Sequence, residues 1–151
     1  MKAGFRLHRF EVLNWGTFTG DRHFIMNVPD GEGVCLTGLN GSGKSTLVDA
    51  LLTLLVPHEY RNYNVAATGT GAKRERSVRS YVLGAYGKEE SAESARGQTK
   101  YLRSAGTISV LLACFKDAFY QRPLTIAQIH WFTASGEHVA RYLIKEADVG
   151  I

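Results

Sequence analysis

The chain has 151 residues, 44% apolar and 21% charged, a balance that suits one compact domain with its own core. No apolar run approaches the roughly 20 residues needed to cross a bilayer, and the opening Met-Lys-Ala-Gly-Phe-Arg lacks the apolar stretch of a secretory signal; no membrane partner and a cytoplasmic location are expected. The net charge of +4 has an address: between residues 72 and 103, eight basic residues (Lys73, Arg74, Arg76, Arg79, Lys88, Arg96, Lys100, Arg103) face four acids (Glu75, Glu89, Glu90, Glu93).

In chain order, Phe5 to Trp15 reads as a strand, with a slip in its alternation near His8–Arg9. Phe24 to Val28 is a second short apolar run, and Pro29-Asp30-Gly31 a turn. Val34 to Thr37 is expected as a short buried strand. A helix follows from Lys44, with Leu47, Leu51, Leu54 and Leu55 at helical spacing, joined by Val48 and Ala50, and Pro57 stops it. Residues 58–76 show no period and read as a long loop. Ser77 to Leu83 is a short helix that Gly84 ends. Lys88 to Ser104 reads as a polar connection. Thr107 to Phe115, Leu124 to Thr133 and His138 to Lys145 form a meander, the last two joined by a hairpin loop at residues 134–137.

Cys35 and Cys114 lie in apolar runs and read as small buried hydrophobes rather than as a disulfide or metal ligands. His8, His23, His58, His130 and His138 have no ligand spacing. Trp131 alternates with Ile129 and is expected on a buried sheet face. Trp15 and Phe18 read as core residues, with packing near an adenine as the alternative.

The most specific signal is Gly38-Leu39-Asn40-Gly41-Ser42-Gly43-Lys44-Ser45, a match to G-x-x-x-x-G-K-[ST] at every required position, between a strand and a helix as the motif requires. Glycines let the backbone turn tightly and bring N–H groups to phosphate oxygens, and the helix start adds free N–H groups and the positive end of its dipole. Gly38, Asn40, Gly41, Ser42, Gly43, Lys44, Ser45 and Thr46 are the expected nucleotide contacts. Lys44 is assigned to the β- and γ-phosphates as the catalytic cation, Ser45 to magnesium and Thr46 to the α-phosphate. ATP and magnesium are the expected cofactors, although the loop alone does not separate ATP from GTP.

Hydrolysis needs more: an acid at the end of an apolar strand to hold magnesium, and a residue to orient water. Asp117 ends an apolar strand, but Lys116 precedes it and no glutamate follows; Asp148 has no apolar strand before it. Both are poor candidates.

Three segments resemble the N-terminal part of the SMC-like ATPases, of the MukB, SbcC and MksB types. They are Leu7 to Phe18, Thr37 to Ala50, and Lys73-Arg74-Glu75-Arg76-Ser77-Val78-Arg79-Ser80-Tyr81-Val82-Leu83-Gly84. The last is similar to the Arg-Ser-Tyr-Val-x-Gly segment of the MksB and JetC families, the latter from Wadjet plasmid-defence systems. The resemblance implies an α/β P-loop NTPase of the ABC/SMC head type. Its N-terminal lobe would wrap a mixed β-sheet around the helix after the phosphate loop and add an antiparallel meander. Residues 1–151 would be the N-terminal half of an ATPase head, with the coiled coil and C-terminal half-head in a longer chain. The implied partners are a C-terminal half-head carrying the Walker B acid and signature loop, a second head, DNA, and kleisin-like and accessory subunits. ATP hydrolysis would belong to the completed head. One departure stands out: many relatives carry arginine where this chain has Gly16. Gln128 is not placed as the family's glutamine loop; it reads as structural.

Lys73, Arg74, Arg76 and Arg79 have two readings, a loop that senses DNA or nucleotide phosphates and a solvated loop paired with nearby carboxylates. Two other function classes stay open: a self-contained P-loop kinase, with Arg74 to Arg79 as lid arginines, and a nucleotide-regulated interaction module without turnover.

Overall fold

A computed structural model of the chain describes residues 4–20, 23–29, 33–63, 76–89, 98–117 and 119–151. Five strands form the main sheet: β1 (Phe5–Leu13), β2 (Phe24–Asn27), β5 (Ser109–Asp117), β6 (Pro123–Phe132) and β7 (His138–Lys145), in the order β2-β1-β5-β6-β7. Every pairing in it is antiparallel, so the expected mixed sheet is corrected for the described residues. The slip near His8–Arg9 is a β-bulge: the β1–β5 register steps from Leu7↔Phe115 to Arg9↔Cys114.

The expected strand at Val34 to Thr37 is absent. That segment belongs to no strand, and Val34 (43%) and Cys35 are exposed; only Leu36 is half-buried against the core. A strand exists only through its ladder, and no described strand pairs with these residues. The same fact corrects the expected burial of Cys35, whereas Cys114, held inside β5, is buried.

Two helices pack on one face of the sheet. α1 (Lys44–Leu55) turns Leu47, Ala50 and Leu54 onto Phe10, Val12, Leu111 and Ala113. Val48 and Leu55 are about half exposed, so the apolar stripe is narrower than its leucines imply. α2 (Val78–Leu83) has six residues, too few to hold together by itself. Ser77 and Ser80 close a capping box at its start, and Gly84, at φ 70°, ends it. The polar connection expected at residues 88–104 includes an antiparallel hairpin, β3 (Ala85–Glu89) with β4 (Gln98–Tyr101). The opposite face of the sheet carries a polar patch. Arg9 and buried Glu11 lie 2.6 Å apart, and the chain end returns over them, with the Ile151 N–H donating to Glu11 at 3.0 Å. Trp131 is half-buried, with the Arg141 guanidinium 5.9 Å from its ring; the buried side chains at this end of β6 are Gln128, His130 and Phe132.

Two polar knots tie α2 to its surroundings. Asp49, fully buried on α1, accepts from the Tyr81 hydroxyl and, at 3.1 Å, from Arg76. Burial and the Asp49 carboxylate push the Tyr81 phenol well above its ordinary range. On the other side, Arg103 donates to the carbonyls of Val82, Tyr81 and Gly16 at 2.8 Å and of Phe18 at 3.3 Å. Burial lowers its pKa to about 10, so it remains a cation at neutral pH. The last carbonyls of α2 are therefore satisfied by a guanidinium that also anchors the turn after β1.

Candidate nucleotide site

The loop from Gly38 to Ser42 is exposed and leads into α1 through Gly43. Gly41 and Gly43 sit at φ 83° and 94°, and Gly38 at 155°. A Cβ on Gly43 would come within 2.8 Å of the Phe18 ring, and one on Gly38 within 2.7 Å of Ser42 Oγ. Both the backbone conformation and the packing demand glycine at position 43. No side chain caps α1, and its first turn contains no acid. The first N–H groups of a helix have no partner within it, so these open into the concavity of the loop with the positive end of the helix dipole behind them.

Lys44 Nζ donates to the carbonyls of Gly38 and Leu39 at 2.6 and 2.8 Å. The ammonium of this first helical residue thus reaches back across the mouth of the loop, within reach of the space where phosphates would lie. Ser45 and Thr46, half-buried in the first turn, flank it. Cradle, cation and hydroxyl fit a triphosphate with magnesium: Gly38 to Gly43 and the start of α1 would hold the phosphates, and Ser45 would hold the metal.

The turn after β1 presses on this site. Gly16, at φ 58°, donates to the Tyr81 carbonyl at 2.7 Å, and a Cβ there would lie 2.5 Å from Thr46 Cγ2. A side chain at Gly16, such as arginine, does not fit without displacing Thr46. Trp15 is fully buried and stacks on Tyr81 with ring centroids 5.0 Å apart, as a core residue does.

The other candidates lie elsewhere. Asp117 ends β5 opposite Phe5, at the start of β1, whereas the turn beside the phosphate loop follows the end of β1. Its carboxylate accepts from the Phe119 and Tyr120 N–H groups, which hold it below the usual carboxylate range. Asp148 pairs with Arg9 at 2.8 Å. Arg76 pairs with Asp49, and the exposed Arg79 places its guanidinium 4.9 Å from the Phe132 ring; Lys73 and Arg74 lie outside the described residues. Gln128 donates to the Leu54 carbonyl at 3.1 Å and so caps the C-terminal end of α1.

A histidine pair also meets at that end. His130 and His138 stack with centroids 5.3 Å apart, and their Nδ1 and Nε2 atoms are 3.1 Å apart; His130 Nε2 is 3.0 Å from the Gln128 carbonyl oxygen. With Gln128 donating to Leu54, the network assigns the His130 proton to Nε2. Spacing along the chain hides this pair. The hairpin register, Phe132↔His138 and His130↔Ala140, makes the two diagonal neighbours, and that is the signal that could have found them.

Burial, then the positive fields of His138 and Arg61, lower the His130 pKa from 6.5 to about 4. Between those values the unfolded chain binds a proton that the folded chain excludes. The contribution is therefore complete above the unfolded value and is lost as pH falls toward the folded one. Urea unfolding should show the protein losing about 2 kcal/mol between pH 7 and pH 5, and His130→Gln should lose less than half of that. An equal loss in the variant would remove His130 as the cause.

Comparison with known proteins places residues 7–70 in a match to the family described as the P-loop containing region of AAA domains. The cytochrome c biogenesis ATP-binding export protein CcmA of Agrobacterium fabrum (strain C58) is 39% identical over 75 residues, covering 47% of this chain. The chain spans about a third (35%) of the length of that relative. Both similarities support a P-loop ATPase family and a P-loop NTPase fold.

Proposed function

We propose that this chain is the N-terminal part of an SMC-like ATPase head that holds Mg·ATP in the Gly38–Thr46 loop. The observation that carries this reading is segment 33–37, which pairs with no described strand and is exposed except at Leu36, leading directly into a well-formed phosphate loop and helix. A phosphate loop is normally fed by a strand inside a sheet, and here that strand lacks its neighbours among the described residues. A C-terminal half-head would pair with it and bring the Walker B acid and signature loop. The poor placement of Asp117 and Asp148 supports the same division. The relative's description as an ATP-binding protein supports ATP as the nucleotide.

In this proposal the backbone N–H groups at the start of α1 would orient the phosphates, Lys44 would exchange the loop carbonyls for the β- and γ-phosphates, and Ser45 would hold magnesium. Magnesium supplies charge neutralisation on the phosphate oxygens when bound. Two completed heads would close on nucleotide and part after hydrolysis, moving or compacting DNA with kleisin-like and accessory subunits, in a role such as plasmid restriction. The kinase alternative loses support because Arg76 and Arg79 are engaged with Asp49 and Phe132 rather than poised over the loop.

Complementation tests this reading. The chain alone should bind ATP without appreciable turnover, and addition of a C-terminal half-head from the same SMC-like system should start hydrolysis. Robust hydrolysis by the isolated chain, or none on complementation, would refute it.

A further inference from the structure

We propose that the pocket at the C-terminal end of α1 is a second ligand site, built for a small organic phosphate and separate from the phosphate loop. The pocket has a volume of about 680 Å³, within the range of small-molecule sites. It lies at the far end of a 12-residue helix, about 18 Å from the loop at 1.5 Å per residue.

Its chemistry is one-sided. Arg61, Arg76, His58, His130 and His138 all line it, and among the described residues no carboxylate does. Asp49 offsets Arg76 from behind, within the core. Arg61 is fixed by its Nε, which donates to the Val56 carbonyl at 2.7 Å, leaving the outer edge of its guanidinium for a forked contact. Burial, then Arg61 and His58, depress the His138 pKa, and an anion seated beside Arg61 would act in the opposite direction. Concave walls that gather one sign of charge concentrate the opposite ion. Phosphate offers acceptor oxygens on several sides, so it can meet the fork of Arg61 and take hydrogen bonds from the rings of His58 and His138 together, which a monocarboxylate does not. The remaining wall, Leu54 to Pro57 with Tyr142 opposite, is apolar and aromatic and suits an organic group carried by the phosphate. His130 and Gln128 form the back of the pocket and tie it to the end of α1.

NMR titration of the histidine rings tests the site, with Lys44→Ala present in every sample to silence the phosphate loop. Millimolar inorganic phosphate should raise the His138 titration midpoint by about one pH unit, and chloride at matched ionic strength should not. Arg61→Gln should remove the effect, and His58→Gln, at an exposed position, should reduce it. Adenosine monophosphate acting at about tenfold lower concentration than phosphate would identify the organic phosphate as the ligand. Equal potency would overturn the organic part of the proposal and leave a bare anion pocket. An unmoved midpoint, a shift reproduced by chloride, or a shift undiminished in both variants would overturn the site.

Discussion

Lys44→Ala abolishes nucleotide binding. Two functions of one ammonium are lost together. The charge that would meet the β- and γ-phosphates disappears, and so does the bracket from Nζ to the carbonyls of Gly38 and Leu39 that holds the mouth of the loop in shape. Hydrogen bonds to charged groups contribute about 1.5–3 kcal/mol each, so losing the two expected to the β- and γ-phosphates weakens affinity by about 100-fold or more. Calorimetric titration with Mg·ATP reads this directly. Lys44→Arg separates the two functions: a longer, forked cation restores charge without restoring the compact bridge, and its affinity should fall between wild type and alanine. The melting temperature should hardly move in either variant, because the contacts of Nζ are exposed. An alanine variant that binds within threefold of wild type would remove Lys44, and with it the proposed phosphate cradle.

Asp49→Ala should be the most destabilising single change. The carboxylate is fully buried and holds both the Tyr81 hydroxyl and the Arg76 guanidinium. Removing one partner of a buried ionic cluster costs about 3–5 kcal/mol, since the others are left without theirs. Asp49→Asn keeps the shape and one acceptor and should lose about half as much. Urea denaturation measures both. Helix α2 gives a second readout: with six residues it depends on Tyr81, so its amides should lose protection before those of β5 and β6. A loss below about 1 kcal/mol in the alanine variant would show that Arg76 and Tyr81 find other partners.

Much of this architecture is readable from residue order, and the failures share a cause. The strands β1, β6 and β7 and the helix α1 carry their own pattern, and even the bulge in β1 appears as broken alternation at His8–Arg9. The phosphate loop is legible because its glycines and lysine act locally. What depends on distant pairing is not. Val34 to Thr37 has the composition of a strand, yet strand formation needs a neighbour that the described chain does not provide. The β3–β4 hairpin escapes notice because its residues, such as Gln98, Thr99 and Lys100, have no apolar alternation. Asp49 looks like an ordinary polar helix position until Tyr81 and Arg76 arrive from residues some thirty positions away. The histidine pair appears only once the β6–β7 register is known.

The open segment before the phosphate loop also has a chemical consequence. Cys35 is an exposed thiol in the middle of it, and an exposed thiol is available to oxidants and alkylating reagents. Its labelling rate therefore serves as a built-in occupancy meter for that edge: fast while the edge is bare, slow once any strand lies against it. Without reductant, the same residue would link two copies of the chain back to back through the segment that the proposed C-terminal half-head would cover.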